Sequence, residues 1–205
     1  MATETELKLS LAPESVATLL RHPLLATPPR CQQLHNTYFD TEDLALTQQK
    51  VAVRERRIDE QTLLTVKTAG QSQGGLSHRR EWEGATQPGR FDFTRLVDDA
   101  TLAKVLTAIA DQLVPVFTTN FQRLSWFISV DGSVVEVALD RGTIEVSRQG
   151  QQRQTPICEV ELELKSGNAS ALLALASQLQ TIAMLTPTDE SKAARGYALF
   201  QALAA

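Results

Sequence analysis

Charge falls at every second position in segment after segment of this chain, and that period constrains the fold more than any other feature. "TETELKLSL" (3–11) opens it, with Glu4, Glu6 and Lys8 alternating against Leu7 and Leu9. An extended strand turns successive side chains to opposite faces, so the charges share one face and the leucines the other. The same period runs through "LHNTYFDT" (34–41), "KVAVRERRI" (50–58), "QTLLTVKT" (61–68), "SHRREWEG" (77–84), "VFTTNFQRLSWFISV" (116–130), "SVVEVALDRGTIEV" (133–146) and "ICEVELELKS" (157–166). Turn chemistry closes several of these runs: "AGQSQGG" (69–75), Asp131-Gly132 and "SRQGQQRQ" (147–154). Helical stretches are fewer. Pro13 suits the first turn of "PESVATLLR", Asp98 or Asp99 caps "TLAKVLTAIADQL", Asn168 caps "ASALLALASQLQTIAM", and a last helix covers "ESKAARGYALFQAL".

No internal repeat or low-complexity linker divides the 205 residues, so a single domain over 1–205 is expected. Eight or so strands with short links favour a mainly β fold with flanking helices, an eight-stranded antiparallel barrel, closed or nearly so. An all-β sandwich is the runner-up. The first strand favours the barrel, with Leu7 and Leu9 packing outward against helices and its charges lining a wet lumen.

The same phase holds on the other strands. Arg54 and Arg56 share a face, with Val53 and Glu55 opposite. Thr65 pairs in phase with Lys67, Arg79 with Glu81 and Glu83, and Arg123 with Thr119 and Phe121. Glu136, Ala138 and Asp140 align, as do Glu159, Glu161, Glu163 and Lys165. Solvated sheet faces are the ordinary explanation for one such strand. Across seven strands the faces are dense in Arg and Glu, and some rows are almost purely acidic, others almost purely basic. Like charges on neighbouring strands cost stability. The segregated rows therefore call for a ligand with both signs, a polyanion carrying divalent metal. Phosphate suits Arg and Lys, and clustered carboxylates select Mg²⁺ or Mn²⁺. Arg57, Arg80 and Trp126 fall out of phase, the first two outside or at the rim and Trp126 beneath a helix.

Composition narrows the class. Apolar residues make up 42% and charged residues 21%, and the formal charge of −4 does not suit a general nucleic-acid binder. Cys31 and Cys158 have no metal-ligand spacing and fit a reducing compartment. The first ten residues carry acids rather than a secretory signal, and the longest apolar run, "ALLALA" (171–176), is too short for a bilayer, so the cytoplasm is the expected setting. His22, His35 and His78 are scattered and read as structural or surface residues. "GQSQGG" lacks the Lys-Ser/Thr ending of a phosphate-binding loop and reads as a mobile loop at a tunnel mouth. Ser10 and Ser191 have no evident base, and Cys158 reads as a small core residue.

Glu4-x-Glu6-x-Lys8 resembles the ExExK motif of the CYTH superfamily, the triphosphate tunnel metalloenzymes. "NTYFDT" resembles its second strand, with Tyr38 and Asp40. "VRERR", "LTVKT" and "RREWE" resemble its Arg-x-Arg, Lys and Arg-x-Glu-x-Glu strands, and "EVELEL" its late acidic strand. "DESKAARGYAL" resembles its C-terminal Ser-Lys segment, whose lysine reaches one tunnel mouth. The likeness spans roughly residues 3–200. It implies an eight-stranded antiparallel tunnel open at both ends, in a family that hydrolyses inorganic triphosphate, thiamine triphosphate, nucleoside triphosphates or RNA 5′-triphosphates, or cyclises ATP. The pattern is most similar to bacterial inorganic triphosphatases, which often carry a C-terminal helical CHAD domain, absent here. The His-Phe pair that precedes ExExK in class IV adenylate cyclases is missing.

On this reading the chain is a metal-dependent inorganic triphosphatase. Arg54, Arg56, Lys67, Arg79, Arg123 and Lys165 bind the phosphates, with Lys8. Glu4, Glu6, Asp140, Glu159, Glu161 and Glu163 hold one or two Mg²⁺ or Mn²⁺. Glu4, Glu6, Lys8 and Lys192 serve the reacting end. The expected partner is a small-molecule triphosphate, with neither nucleic acid nor membrane. The alternatives are thiamine or nucleoside triphosphatase, adenylate cyclase, and a non-catalytic tunnel that binds polyphosphate. The intact acids of the first and last strands count against the last, since binding an anion does not require them.

Overall fold

The computed structural model describes residues 2–203. Its elements, in chain order, are β1 (Ala2–Leu11), α1 (Val16–Leu19), β2 (Arg30–Asp40), α2 (Ala45–Gln48), β3 (Ala52–Ile58), β4 (Gln61–Lys67), β5 (Gln71–Gln73), β6 (Leu76–Thr86), α3 (Phe93–Leu96), α4 (Ala100–Ala108), β7 (Val114–Val130), β8 (Ser133–Arg148), β9 (Gln151–Ser166), α5 (Ser170–Leu179), β10 (Leu185–Pro187) and α6 (Lys192–Ala202). Eight strands close in the order β1-β9-β8-β7-β2-β3-β4-β6, and β6 returns to β1 through Glu4↔Arg79 and Glu6↔Ser77. Every pairing is antiparallel. Closure removes the free edges that a sandwich would leave, so the barrel rather than the sandwich is the architecture.

The alternation places each face as expected. Leu7, Leu9, Val135, Val137, Leu139, Val160 and Leu162 point outward and are buried by Leu172, Leu175 and Leu179 of α5. These three helix residues lie at three- and four-residue intervals, one stripe of the helix. Trp126 joins this layer, its indole N–H donating to the Thr27 carbonyl at 2.8 Å. Across the barrel, Val53, Leu64, Val66 and Trp82 are covered by Leu46, Phe93 and Leu106 of α2, α3 and α4. Fully burying each leucine of these layers contributes about 1.5–3 kcal/mol. No helix among the described residues is long and apolar enough to cross a membrane.

Side-chain caps open α4 and α6, whereas α5 has Ala169 at its N-cap and no side-chain cap, contrary to the expected Asn168. Asp99 accepts from the Thr101 and Leu102 amides, Ser191 from Ala194, and Asn168 Oδ1 from Ser170. His22 is buried, its Nδ1 accepting the Leu24 amide, while His35 and His78 meet Asn120 and Thr5. His22 is thus structural, and His35 and His78 lie at the surface.

Three segments depart from the expectation. The 147–154 stretch is not a broad turn: only Gln149-Gly150 turns, both with positive φ (51° and 77°), and β8 and β9 continue on either side. The backbone of this polar stretch is satisfied by the cross-strand ladder, which composition does not reveal. The Gly-rich 69–75 segment is not a free loop: Gln71–Gln73 form β5 on β6. Finally, β2 begins at Arg30, four residues before the expected start at 34.

The long outer ends of β7, β8 and β9 explain α6. Along β8 the inward phase runs Glu136, Ala138, Asp140 and then turns apolar at Ile144 and Val146; β9 likewise has Ile157 in phase with Glu159. Tyr197, Phe200 and Leu203 of the C-terminal helical segment pack on that apolar inner face, with Phe117 edge-on to Tyr197 at 5.0 Å. A Cβ at Gly196 would overlap the Phe117 ring, so the helix approaches more closely than any other residue there allows. The barrel is thus charged inside through its middle, and at this end the helix packs against the inner wall.

Candidate functional site

The inward faces enclose a cavity of about 1440 Å³. Of the anticipated site residues, Glu4, Glu6, Lys8, Arg54, Arg56, Lys67, Arg79, Arg123, Glu161, Glu163, Lys165 and Lys192 all line it. Asp140 and Glu159 lie just behind that lining and are almost fully buried.

The first wall is β1 against β4 and β6. Register places Glu4 opposite Arg79, whose Nε and Nη2 donate to Glu4 at 2.6 Å and Glu6 at 2.5 Å. Lys67 Nζ bridges Glu4 at 3.1 Å and Glu81 at 2.7 Å, and Lys8 Nζ reaches Glu6 at 3.0 Å. Burial lowers the Arg79 guanidinium, but Glu6 and Glu4 outweigh it and raise it above its ordinary value.

The second wall joins β7, β8, β9 and α6. Arg123 grips Asp140 through both oxygens at 2.7 Å and reaches Glu161 at 2.5 Å. Lys192, the first residue of α6, extends its Nζ between Asp140 (2.6 Å), Glu159 (2.5 Å) and Glu161 (2.9 Å). Arg195, one turn on, holds the other Glu159 oxygen at 3.1 Å. Burial opposes ionisation of Glu161, yet Lys192 and Arg123 hold its carboxyl well below the usual range. Glu159 moves the other way: its burial, with Glu161 and Asp140 beside it, outweighs Lys192 and raises it. One ammonium shared by three acids cannot compensate all of them equally.

The third wall, β2 and β3, is basic. Arg54 lies near Glu83 at 3.5 Å and Thr65 at 3.3 Å. Arg56 donates its Nε to Asn36 at 2.9 Å and forms no ion pair among the described residues. Asn36 is itself held by the Thr119 carbonyl and hydroxyl. Burial and the neighbouring Arg54 and Arg123 charges push Arg56 down to about 10. It is still cationic at neutral pH and under-compensated, so an anion is what this wall lacks. At the far mouth Lys165 bridges Glu136 at 2.9 Å and Glu163 at 2.8 Å. Burial raises the Glu163 carboxyl there, against Lys165.

Hard oxygen donors converge where a metal would need them. Oxygens of Asp140, Glu159 and Glu161 lie within 4.8 Å of one another around the Lys192 ammonium. The trio already converges on one cation, and an all-carboxylate set suits Mg²⁺ or Mn²⁺. Each of the three has both oxygens engaged by Lys192, Arg123 or Arg195, and Asp140, fully buried, is the least accessible of them.

Sequence reasoning left several lining residues without a role. Glu81, Glu83 and Glu136 were in phase but unassigned; they serve as internal counter-ions to Arg54, Lys67 and Lys165. Arg30 and Lys50 also line the cavity. Lys50 adopts φ 57° just after α2, and no periodicity marks such a position. Of the inward aromatics, Tyr38 stacks on Phe117 at 4.4 Å, and Phe121 lies under Arg123 and Lys192. Phe127 is 60% exposed.

A closed barrel lined inside by interleaved acidic and basic side chains defines the class, and this chain belongs to the CYTH domain family, whose model matches residues 2–197. An inorganic triphosphatase of Haemophilus influenzae is 33% identical over 97% of this chain and 55% of its own length. The chain therefore spans about half the length of that relative. Among solved structures, the Hippeastrum protein HpAC1, described as having a dominant triphosphatase activity, superposes with a TM-score of 0.64 at 19% identity, covering 97% of this chain and 95% of its own. The Pyrococcus horikoshii protein PH1819 superposes at 0.58 with 17% identity, covering 97% and 98%. At such identities both likenesses concern the fold.

Proposed function

We propose that this chain hydrolyses inorganic triphosphate to pyrophosphate and phosphate with Mg²⁺ or Mn²⁺, in the cytoplasm. The observation that carries the reading is the third wall: Arg56, half-buried and cationic with no ion pair among the described residues, faces the acids of β1 and β9 across one cavity. The identity to the Haemophilus triphosphatase supports the same chemistry.

Arg54, Arg56 and Arg123 clamp phosphate oxygens, with Lys67, Arg79 and Lys165 along the flanking walls. Their carboxylate partners hold these side chains in place before substrate arrives, so little ordering is left for binding. Water attacks the terminal phosphorus, the bridging P–O bond breaks, and the charge that develops on the leaving pyrophosphate meets Lys8 and Lys192. Glu4, Glu6, Glu159, Glu161 and Glu163 are the residues that would hold metal, with Asp140 chiefly orienting Arg123 and Lys192. Bound there, a divalent ion supplies charge neutralisation on the substrate oxygens and a more acidic water. The engaged state of Tyr38 and Phe121 leaves little to stack on a base, which favours inorganic triphosphate over ATP.

The test is Glu4→Gln. It removes a carboxylate charge while keeping the shape of the side chain. Turnover is expected to fall far more than affinity for metal-free triphosphate, measured by phosphate release and calorimetry. Full turnover in this variant would overturn the proposed role of the β1 acids.

A further inference from the structure

Outside the cavity, two chain segments that carry reacting-end residues, β1 and the link into α6, meet the β5–β6 hairpin at one point. The edge of β1 is paired with β6 up to Leu7 and with β10 from Leu9 onward. At the handover, the Lys8 amide donates to the Gly75 carbonyl and the Lys8 carbonyl accepts from Thr188, both at 3.0 Å. The β5–β6 tip packs so closely that a Cβ at Gly75, with φ +83°, would stand 2.6 Å from the Lys8 carbonyl oxygen. One exposed carboxylate fastens the junction. Asp189 accepts from the Ser72 hydroxyl at 2.6 Å, from the Gly75 amide at 2.9 Å and from the Gly74 amide at 3.2 Å. Asp189 is solvent-exposed, yet three residues later Lys192 is buried among three carboxylates.

We propose that Asp189 is a positioning residue: by latching the β10–α6 link to the β5–β6 hairpin it sets where Lys192 enters the cavity. This rests on the triphosphatase reading above. Between β10 and α6 the link has few other restraints. Among the described residues, Thr188 is held through its amide, Glu190 donates to the Thr188 hydroxyl, and Ser191 caps its own helix. Without the latch, residues 188–191 gain freedom and the Lys192 ammonium loses its fixed approach. The hairpin so fastened also leads from Lys67 to Arg79, so the latch ties the bases of one wall to the lysine of the other.

A double-mutant cycle tests this with Asp189→Ala, Lys192→Ala and the pair. Asp189→Ala is expected to lower kcat about tenfold with KM changed less than about twofold, because Lys192 acts on the leaving group rather than on ground-state binding. In the Lys192→Ala background the same substitution is expected to cost less than about twofold, since the group it positions is gone. Asp189→Asn keeps an oxygen for Ser72 and Gly75 and is expected to recover most of kcat. Amide hydrogen exchange over residues 71–75 and 188–195 is expected to quicken at least about tenfold in Asp189→Ala. An equal loss in both backgrounds, or unchanged exchange, would overturn the latch. Should the unsubstituted protein release no phosphate from triphosphate, the triphosphatase reading fails by itself, and the exchange measurement still decides the latch.

Discussion

At the scale of single residues, the inward or outward phase of a side chain decides its chemistry, and neighbouring positions of one strand provide the contrast. Arg56 faces the cavity and donates to Asn36, with no ion pair among the described residues, whereas Glu55 points out and accepts the Gly89 amide at 2.7 Å. Arg56→Ala is expected to weaken triphosphate binding by about 1.5–3 kcal/mol, the range for hydrogen bonds to charged groups. Glu55→Gln is expected to leave that affinity unchanged; calorimetry on both variants checks the register of β3. Proton competition adds a second expectation. Burial raises Glu159 and Glu163 above the ordinary carboxylate value of 4.5, so these groups take up protons before an exposed glutamate does. Metal must displace those protons. Mn²⁺ affinity is therefore expected to fall on acidification while the pH is still above 4.5, as titration calorimetry in two buffers of different ionisation enthalpy would register. The phase of each of these residues was legible in the sequence, because period two is a local property of the backbone. Their partners were not. That Arg79 divides itself between Glu4 and Glu6, or that Arg123 takes both oxygens of Asp140, depends on which strands become neighbours once the barrel closes.

At the scale of elements, α6 contributes a charge to the site as well as apolar packing. Lys192 is the counter-ion of a buried trio, and removing one partner of a buried pair costs about 3–5 kcal/mol. Lys192→Ala is expected to lower stability by that order in thermal or urea unfolding. The pH dependence has a definite sign. The Glu161 carboxyl is held below its ordinary value of 4.5, so its contribution is present above that value and is lost as pH falls through the folded one. The deficit of Lys192→Ala is therefore expected to be largest near neutrality and to shrink on acidification below about 4.5. Divalent metal is expected to raise the melting temperature of the variant more than that of the parent, since the trio then lacks its internal cation. The existence of α6 was readable from the sequence, as was the Asp131-Gly132 hairpin; the Ser191 cap of α6 was not singled out. The short α2, the three-residue β5 and β10 and the continuation of β9 back to Gln151 were not. Each owes its conformation to a partner far along the chain: the Asp40 carboxylate holds the Leu46 and Thr47 amides of α2, and β10 exists only as a strand on β1.

At the scale of the whole molecule, a chain of formal charge −4 gathers its bases into an interior, where an anion meets them at reduced dielectric and with little competition from salt. Binding to the folded state alone stabilises it, by about 2.7 kcal/mol at a ligand concentration of 100 Kd. Tripolyphosphate is thus expected to raise the melting temperature, and sulfate at equal ionic strength to do so far less, because a single tetrahedral anion spans only part of the basic wall. The barrel, its outward apolar layers and the charged character of its interior follow from one periodicity sustained over eight strands; the expected segregation of acids from bases does not hold, since strand pairing sets Arg79 and Lys67 against Glu4, and Arg123 and Lys192 against Asp140 and Glu161. The packing of the C-terminal helix on the inner wall of one end does not follow from that periodicity, because it needs the apolar tips of β7, β8 and β9 to be recognised as the inner face of the same strands. The most direct test of the central claim is phosphate release from inorganic triphosphate, with Mg²⁺ or Mn²⁺, with excess chelator, and beside ATP at equal concentration. The account predicts metal-dependent release, abolished by chelation and faster with inorganic triphosphate than with ATP; undiminished release in chelator, or none under any condition, would contradict it.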